Sequence, residues 1–487
     1  MSSSLPVEQG RQSTPALSAV ADERSDASRA AGRVTPEAAN RILLSLIFPT
    51  VLMPMIDSTI RVALPIIRSD FQIEADVTAW VDAVFTLPFM LLMPIYGRLS
   101  DGVGKRRLML LGTAVFTLGT VLTIFATDLT LLMVGRAVQG VGVGGMMPLS
   151  MALIAAIFAP HERGKALGTW SSVGPIVGFV APLAMGFVVD HWGWRVAFAP
   201  SLLLGGVALV AVAIGIPAGL SQIKPNFLRT FDWVGALLLS LTLTSLIVYL
   251  SSRPVTGIDP LQDWRLLALT GLFGLGFVAW EQRHPNPFVE LAIFRNRMFS
   301  LASFCGMTRM FIMSGLSFLV ALYLADVRGF GAAQIGGITM FNAGAMVLIV
   351  RFGGQAADHW GSRWPTVIGL SVQVSVMVIL ALLPINTPSW LIALVMVYYG
   401  LGAGLVLAAL HRAAMGHVAD AQLGMAAGLY SMSRFAGAAA GTALGGVILQ
   451  RAFDQGLSLL AAYQVTFLAF AGLASVGIVA AFGLREH

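Results

Sequence analysis

The chain has 487 residues, 57% of them hydrophobic and only 11% charged, with a mean hydropathy of +0.81. A charged fraction below half of the roughly 25% usual for soluble domains excludes water as the solvent of most of this surface. The net charge of +6 does not point to nucleic acid, because the basic side chains sit in short segments between apolar runs, and the single cysteine, Cys305, excludes both an internal disulfide and a thiolate metal cluster.

Residues 1–40 carry no aromatic side chain and are rich in Ser, Ala and Arg, a composition that cannot bury enough apolar area to fold alone. They read as a disordered cytoplasmic tail. A signal peptide is not expected, since the first apolar run starts late and is too long.

From Ile42 to Leu484 fourteen apolar runs follow, at 42–65, 78–96, 108–126, 129–158, 166–189, 196–220, 234–251, 266–280, 299–325, 334–353, 365–385, 389–410, 422–448 and 462–484. A helix needs about 20 residues to cross the roughly 30 Å hydrocarbon layer. Lipid offers backbone polar groups no partner, and the alternating pattern of a barrel strand is missing, so the expected class is an all-α polytopic membrane protein of 14 spans. Lys and Arg concentrate in alternate connections: Arg98, Lys105, Arg106 and Arg107; Arg163 and Lys165; Lys224 and Arg229; Arg283, Arg295 and Arg297. The opposite connections hold Arg68, Arg195, Arg253, Arg265, Arg328 and Arg451. This asymmetry places both termini in the cytoplasm and the chain in the cytoplasmic (inner) membrane.

Ionisable residues inside a span cost roughly 3 kcal/mol at the bilayer centre and are therefore functional candidates. Span 1 has Asp57 and Arg61, span 2 has Asp82 and span 4 has Arg136. At about 1.5 Å per residue all four lie roughly 6–12 Å from the outer ends of their helices, where they can share one layer. Asp57 and Arg61 are four apart, on one helical face. A carboxylate whose protonation depends on a nearby arginine is what coupling to a proton requires, so Asp57, Asp82 and Arg136 are the expected proton-coupling group, with a static ion-pair network as the alternative. In the C-terminal part, Arg309 in span 9 and Arg434 in span 13 have no acidic residue within any span, since Asp326, Asp358, Asp420, Asp454 and Glu486 read as loop or helix end. If both face a cavity it is net positive and suits an anionic or zwitterionic amphiphile; the alternative is that Arg434 braces helix packing. Arg61, Phe85, Met146, Arg309, Phe341, Tyr398, Tyr399 and Arg434 are the expected cavity residues, combining adaptable apolar walls with a few polar groups.

The segment GRLSDGVGKR at 97–106 recurs as GQAADHWGSR at 354–363, matching Gly97 with Gly354, Asp101 with Asp358, Gly104 with Gly361 and Arg106 with Arg363. Both copies fall in a connection after a span entering from outside, so the chain reads as two parallel repeats with a solute site between them. The expected domains are a tail at 1–40, a six-helix bundle at 41–220, a linker and inserted helices 7 and 8 at 221–285, and a second six-helix bundle at 286–487. Gly97, Arg98, Asp101, Gly104, Arg106, Gly354, Asp358, Gly361 and Arg363 are read as a cytoplasmic gate, in which an acid meets the positive N-terminus of a helix of the other bundle, or a nearby Arg, and Gly97 and Gly354 let the backbones approach; a solvated turn is the alternative.

These motifs resemble the major facilitator superfamily, in its fourteen-span drug:proton antiporter branch. GRLSDGVGKRR is similar to that family's loop between helices 2 and 3, LLMVGRAVQGVGVGG at 131–145 to its fourth-helix motif, IDSTIRVALP at 56–65 to its first-helix signature, and HPNPFVELAIFRNRMF at 284–299 to its entry into helix 9. SSVGPIVGFVAPLAMG at 171–186 resembles the antiporter motif of helix 5 through Gly174, Pro175, Gly178, Pro182 and Gly186, with Ala181 where that motif has Gly. The resemblance implies a major-facilitator-like fold of two six-helix bundles plus two inserted helices. It also implies a proton-coupled secondary transporter exporting amphiphilic or lipophilic compounds, with the solute and membrane lipid as partners and a monomer as the working unit.

No cofactor is expected beyond the coupling proton. There is no phosphate-binding Gly-Lys-Ser loop, the GVGVGG run lies inside a span with no strand before it, and the seven His show no ligand spacing. An enzyme is not expected. A lipid or organic-anion translocator, and a non-transporting sensor or scaffold on the same fold, are the alternatives.

Overall fold

The computed structural model describes residues 35–158, 160–218, 227–416, 418 and 423–484. The expected tail therefore lies almost wholly outside the described residues, as do Asp420, Glu486 and the side chain of Asp101. Helix α1 begins earlier than expected, at Pro36, and runs to Phe71. Thr35 accepts a hydrogen bond from the Ala38 amide at 3.3 Å, Pro36 occupies the first helical position where no donor is lost, and Glu37 sits in the positive first turn. Apolarity alone ends the tail at residue 40, whereas these capping signals carry the helix back to Pro36.

The helices that follow are α2 (Ala75–Val103), α3 (Lys105–Ile124), α4 (Leu129–Ile157), α5 (Pro160–Trp192), α6 (Ala199–Gly215), α7 (Trp233–Leu250), α8 (Trp264–Glu281), α9 (Arg297–Asp326), α10 (Ala332–Trp360), α11 (Arg363–Leu382), α12 (Ser389–Met415), α13 (Leu423–Asp454) and α14 (Leu459–Ala481). Each of the fourteen expected runs is a helix. Thirteen are long and apolar enough to cross a membrane, and α8, 18 residues with charged ends, pairs with α7 as a hairpin. No strand occurs among the described residues.

The packing repeats itself. Helix α1 lies against α5 and α6, α2 against α4, and α3 against α4 and α6; eight helices on, α9 lies against α13 and α14, α10 against α12, and α11 against α12 and α14. The two halves meet along α5 with α10 and α2 with α13, contacts related by the same shift. Small residues make these approaches possible: a Cβ on Gly336 would overlap the Pro182 carbonyl, and one on Gly446 would lie 2.7 Å from the Ala75 carbonyl. Helix α4 is interrupted at Gly144–Gly145, where it runs close to α2, and a Cβ on Gly145 would strike the Tyr96 ring.

The repeated Gly/Asp/Arg segments are mostly helix and not loops. Helix α2 continues through Val103 and α10 through Trp360, so only Gly104 (φ 95°) separates α2 from α3, and Gly361 (φ 71°) with Ser362 separates α10 from α11. Positive φ without steric cost is what glycine supplies at a helix end. Polarity marks where contact with lipid should end, but a helix need not stop where lipid does.

The ends of the bundle differ in chemistry. At the end carrying the α2–α3 and α10–α11 connections, here called the basic end, Arg106 donates to the Ala213 carbonyl of α6 at 2.7 Å and Arg98 to the Pro287 carbonyl at 2.8 Å. At the far end, Arg68 of α1 and Asp326 of α9 pair at 2.5 Å, and the Tyr463 hydroxyl donates to Asp326 at 2.6 Å. Asp190 of α5 accepts from the amides of Ala332 and Ala333 at the start of α10, at 2.7 and 2.8 Å. Gln450 of α13 accepts from the Ala75 amide at 3.0 Å. Arg253, between α7 and α8, pairs with Glu74 of one half at 3.0 Å and with Asp454 of the other at 2.5 Å. The halves are thus clasped at the far end. Toward the basic end they diverge: a Cβ on Gly168 or Gly174 of α5, or on Gly428 of α13, would have nothing within 4 Å.

Candidate functional site

Between the halves lies a cavity of about 330 Å³, lined from both sides by α1, α2, α4, α5, α9, α10, α12 and α13. The lining helices of the first half carry interior prolines, Pro54 on α1, Pro88 on α2, and Pro175 and Pro182 on α5. Each proline removes a backbone donor and bends its helix, which shapes a concave wall from elements that would otherwise be straight.

Asp57 and Arg61 face the cavity one turn apart and pair at 2.9 Å, each about one-third exposed at its side chain (33% and 29%). Asp82 lies on the same wall, less exposed at 18%. Behind it Arg136 is fully buried, its Nε donating to the Val81 carbonyl at 3.3 Å and its Nη1 to Gln139 Oε1 at 3.0 Å. Gln139 in turn donates to Thr120 Oγ1 at 3.1 Å, and the guanidinium lies 4.4 Å above the Phe85 ring. Arg136 Nη2 stands 3.7 Å from Asp82 Oδ1, an ion-pair distance but longer than a hydrogen bond, and has no other hydrogen-bond partner. Asp82 is therefore near its cation without being locked to it.

The other oxygen of Asp82 reaches across to the second half. Thr442 of α13 donates to Asp82 Oδ2 at 3.2 Å, and Thr442 Oγ1 is 2.8 Å from Ser314 Oγ of α9. Sequence reasoning missed both hydroxyls. Thr442 sits in the small-residue run FAGAAAGTALGG, whose ordinary role is close helix packing, and a lone Thr among Ala and Gly is the one signal it offers.

Of the residues expected in the cavity, Arg61, Phe85, Arg309, Tyr399 and Arg434 line it. Three do not. Met146 is 1% exposed and packs under α3, with Thr113 Oγ1 3.7 Å from its sulfur; its neighbour Met147 faces the cavity instead. One residue is about 100° of helix rotation, which depth counting cannot resolve. Phe341 and Tyr398 are 43% and 40% exposed on the outer surface of the bundle, and Ser375 meets the Tyr398 hydroxyl at 3.3 Å. Their neighbours Asn342 and Tyr399 turn inward.

From the helix 5 motif, Gly174, Pro175, Gly178 and Pro182 line the cavity, while Gly186 packs against the start of α10, where a Cβ would overlap the Ala332 carbonyl. At Asp358 the acid of the expected gate meets a nearby Arg and not a helix end of the other half. It bonds Arg412 of α12, in its own half, at 2.7 Å. Nor does Gly97 serve close approach, since a Cβ there would have nothing within 4 Å, and Gly354 has only Ala408 at 3.8 Å. The reason is the divergence of the halves at this end. Arg363 stacks over Trp364 and Phe482, 5.1 and 5.3 Å from their ring centres, within its own half.

A family model described as Major Facilitator Superfamily matches residues 46–442. The riboflavin transporter RibZ of Clostridioides difficile is 28% identical over 74% of this chain and 78% of its own length. The multidrug resistance protein Stp of Mycobacterium tuberculosis is 29% identical over 80% and 72%. The tetracenomycin C resistance and export protein of Streptomyces glaucescens is 26% identical over 82% and 74%. Among solved structures, a peptide transporter POT in complex with sulfate aligns with a TM-score of 0.69 at 16% identity, covering 94% of this chain and 98% of that one, a likeness of fold.

Proposed function

The chain belongs to the Major Facilitator Superfamily, and from that premise we propose that it is a proton-coupled exporter of amphiphilic small molecules working by alternating access. The observation that carries the reading is the pair of acids in the cavity wall, each beside an arginine, with Asp82 also bonded to Thr442 of the opposite half. Protonating Asp82 cancels its attraction to Arg136 and changes what it offers Thr442. One proton thereby alters both the charge of the solute chamber and a bond between the moving halves, which is the coupling an antiporter needs. Asp57, more exposed and held by Arg61 alone, is the carboxylate most open to exchange with the chamber.

The basic end faces the cytoplasm of an inner membrane under the positive-inside rule, with both ends of the chain on that side. The conformation is then inward-open, with the far-end clasp closed. Exporters of antibiotics and other drugs among the relatives support the solute class, and the riboflavin transporter among them extends it to polar aromatic compounds. The protein acts as a monomer, because cavity and carboxylates are complete within one chain, and its exposed apolar helix faces meet lipid.

Reconstituted vesicles with an imposed pH gradient test the coupling. Asp57→Asn is expected to abolish gradient-driven accumulation of a fluorescent amphiphile while leaving downhill exchange. Unchanged gradient-driven accumulation in Asp57→Asn and Asp82→Asn alike would refute the role of these acids.

A further inference from the structure

Both acids that line the cavity already have a cation, Arg61 for Asp57 and Arg136 for Asp82. Two guanidiniums are left over, Arg309 on α9 and Arg434 on α13, and among the described residues no carboxylate lies within ion-pair distance of either. Arg309 is only 2% exposed. Its Nε donates to the Ala403 carbonyl at 3.1 Å, but Nη1 and Nη2 meet only thioether sulfurs, Met310 at 3.6 Å and Met346 at 3.8 Å. Arg434 Nη2 points at the same Met310 sulfur, 3.9 Å away. A thioether is a weak acceptor, and two like charges converging on it in a membrane interior are costly unless something neutralises them.

A bracing role explains part of this arrangement. The Arg434 guanidinium lies 5.5 and 5.9 Å from the ring centres of Tyr430 and Phe435. Stacking uses the face of a guanidinium and leaves its in-plane N–H donors free for an acceptor. A further donor stands beside them: Tyr399, 1% exposed, lines the same cavity with a hydroxyl that has no hydrogen-bond partner among the described residues.

We propose that Arg309, Arg434 and Tyr399 form an anion subsite that receives the carboxylate, sulfonate or phosphate head of an amphiphile, whose apolar body lies toward Phe85 and Phe89. The solutes the cavity favours are then anionic or zwitterionic, and a lipophilic cation is disfavoured by the surplus positive charge. This rests on the proposed function only in placing the solute in this cavity.

The test uses the purified full chain and calorimetric titration with naphthalene sulfonate, lysophosphatidic acid and tetraphenylphosphonium. Saturable binding of at least one anion is expected, weakened roughly 10- to 100-fold by Arg434→Gln, the range that loss of charge-assisted hydrogen bonds gives. Arg434→Lys should restore part of it, as a point charge without the bidentate fork. Tetraphenylphosphonium should bind Arg434→Gln no more weakly than wild type. Arg434 is the less buried of the two arginines, so its variants keep the test open if those of Arg309 fail to fold. Binding of lysophosphatidic acid alone assigns the head to a lipid, and of the sulfonate alone to a soluble anion; absence of both, or equal loss of cation and anion in Arg434→Gln, overturns the subsite. The titration needs no gradient. Arginine-dependent anion binding without gradient-driven flux would sink the proposed function and leave the subsite, and gradient-driven flux of cations without anion binding would do the reverse.

Discussion

Thr442 has one hydroxyl proton, and because Asp82 Oδ2 takes it, the short contact with Ser314 requires Ser314 to donate. When Asp82 is protonated it can become the donor, and Thr442 is then free to turn its proton toward Ser314. In the proposed coupling the two hydroxyls report the charge of an acid on α2 to helices α13 and α9. Thr442→Val keeps the branched shape and removes the bond; it is expected to fold, to keep downhill exchange, and to lose roughly tenfold in gradient-driven rate, the scale of one hydrogen bond to a charge. The rate ratio between coupled and uncoupled flux in vesicles checks this, and an unchanged ratio would remove Thr442 from the coupling path. Arg136 is held differently, by a carbonyl, Gln139 and the Phe85 face. Gln139→Leu strips one of these supports and leaves a buried guanidinium donor without its partner, so a lower Tm in detergent is expected, by about 1–3 kcal/mol of stability.

Helix α5 shows how an element serves both wall and hinge. Its Gly174 and Gly178 face the cavity, while Pro182 and Gly186 let α10 approach at the far end. Gly336→Val on α10 would drive a side chain into the Pro182 carbonyl. The far end should then fail to close, and a cysteine at Ser317, in the cavity wall, should label faster from that side. Cys305 is the one native cysteine and is buried, so the background is low. The inserted hairpin of α7 and α8 is also more than filling. Arg253 bridges Glu74 and Asp454, Arg451 donates to the Pro260 carbonyl at 2.8 Å, and Trp80 Nε1 donates to the Ser251 carbonyl at 3.1 Å. At the basic end of the same hairpin, buried Asp232 accepts from the Gly235 amide, Trp280 Nε1 and the Phe288 amide. The insert is tied to both halves at the far end, and at the basic end to itself and to the segment that enters α9.

For the whole molecule, the proposed alternating access makes the far-end contacts set the balance between open and closed states. On that reading Arg68 with Asp326, Asp190 with α10, and Arg253 with both halves break when that end opens. Each is part-exposed, so each contributes modestly and the sum decides. Arg68→Ala combined with Arg253→Ala is expected to shift the population toward the far-open state by roughly tenfold, about 1.4 kcal/mol. Labelling of Ser317→Cys from the far side reads that shift, and no change would place the latch elsewhere.

The class, the helix count and the two-half plan were legible in the sequence, because lipid imposes a minimum apolar length and forbids unpaired backbone, leaving few solutions. The carboxylate layer was legible for the same reason: charges within apolar runs are rare, and a spacing of four puts Asp57 and Arg61 on one face. Facing was not legible. Met146 against Met147, Phe341 against Asn342, and Tyr398 against Tyr399 differ by a single step of about 100°, and only the packing of neighbouring helices fixes which one turns inward. The bond from Thr442 to Asp82 joins residues 360 apart in the chain, and Asp358 finds Arg412 because the halves stand apart at that end. Such pairings belong to one arrangement of two rigid bundles, and composition and spacing carry no term for the angle between them.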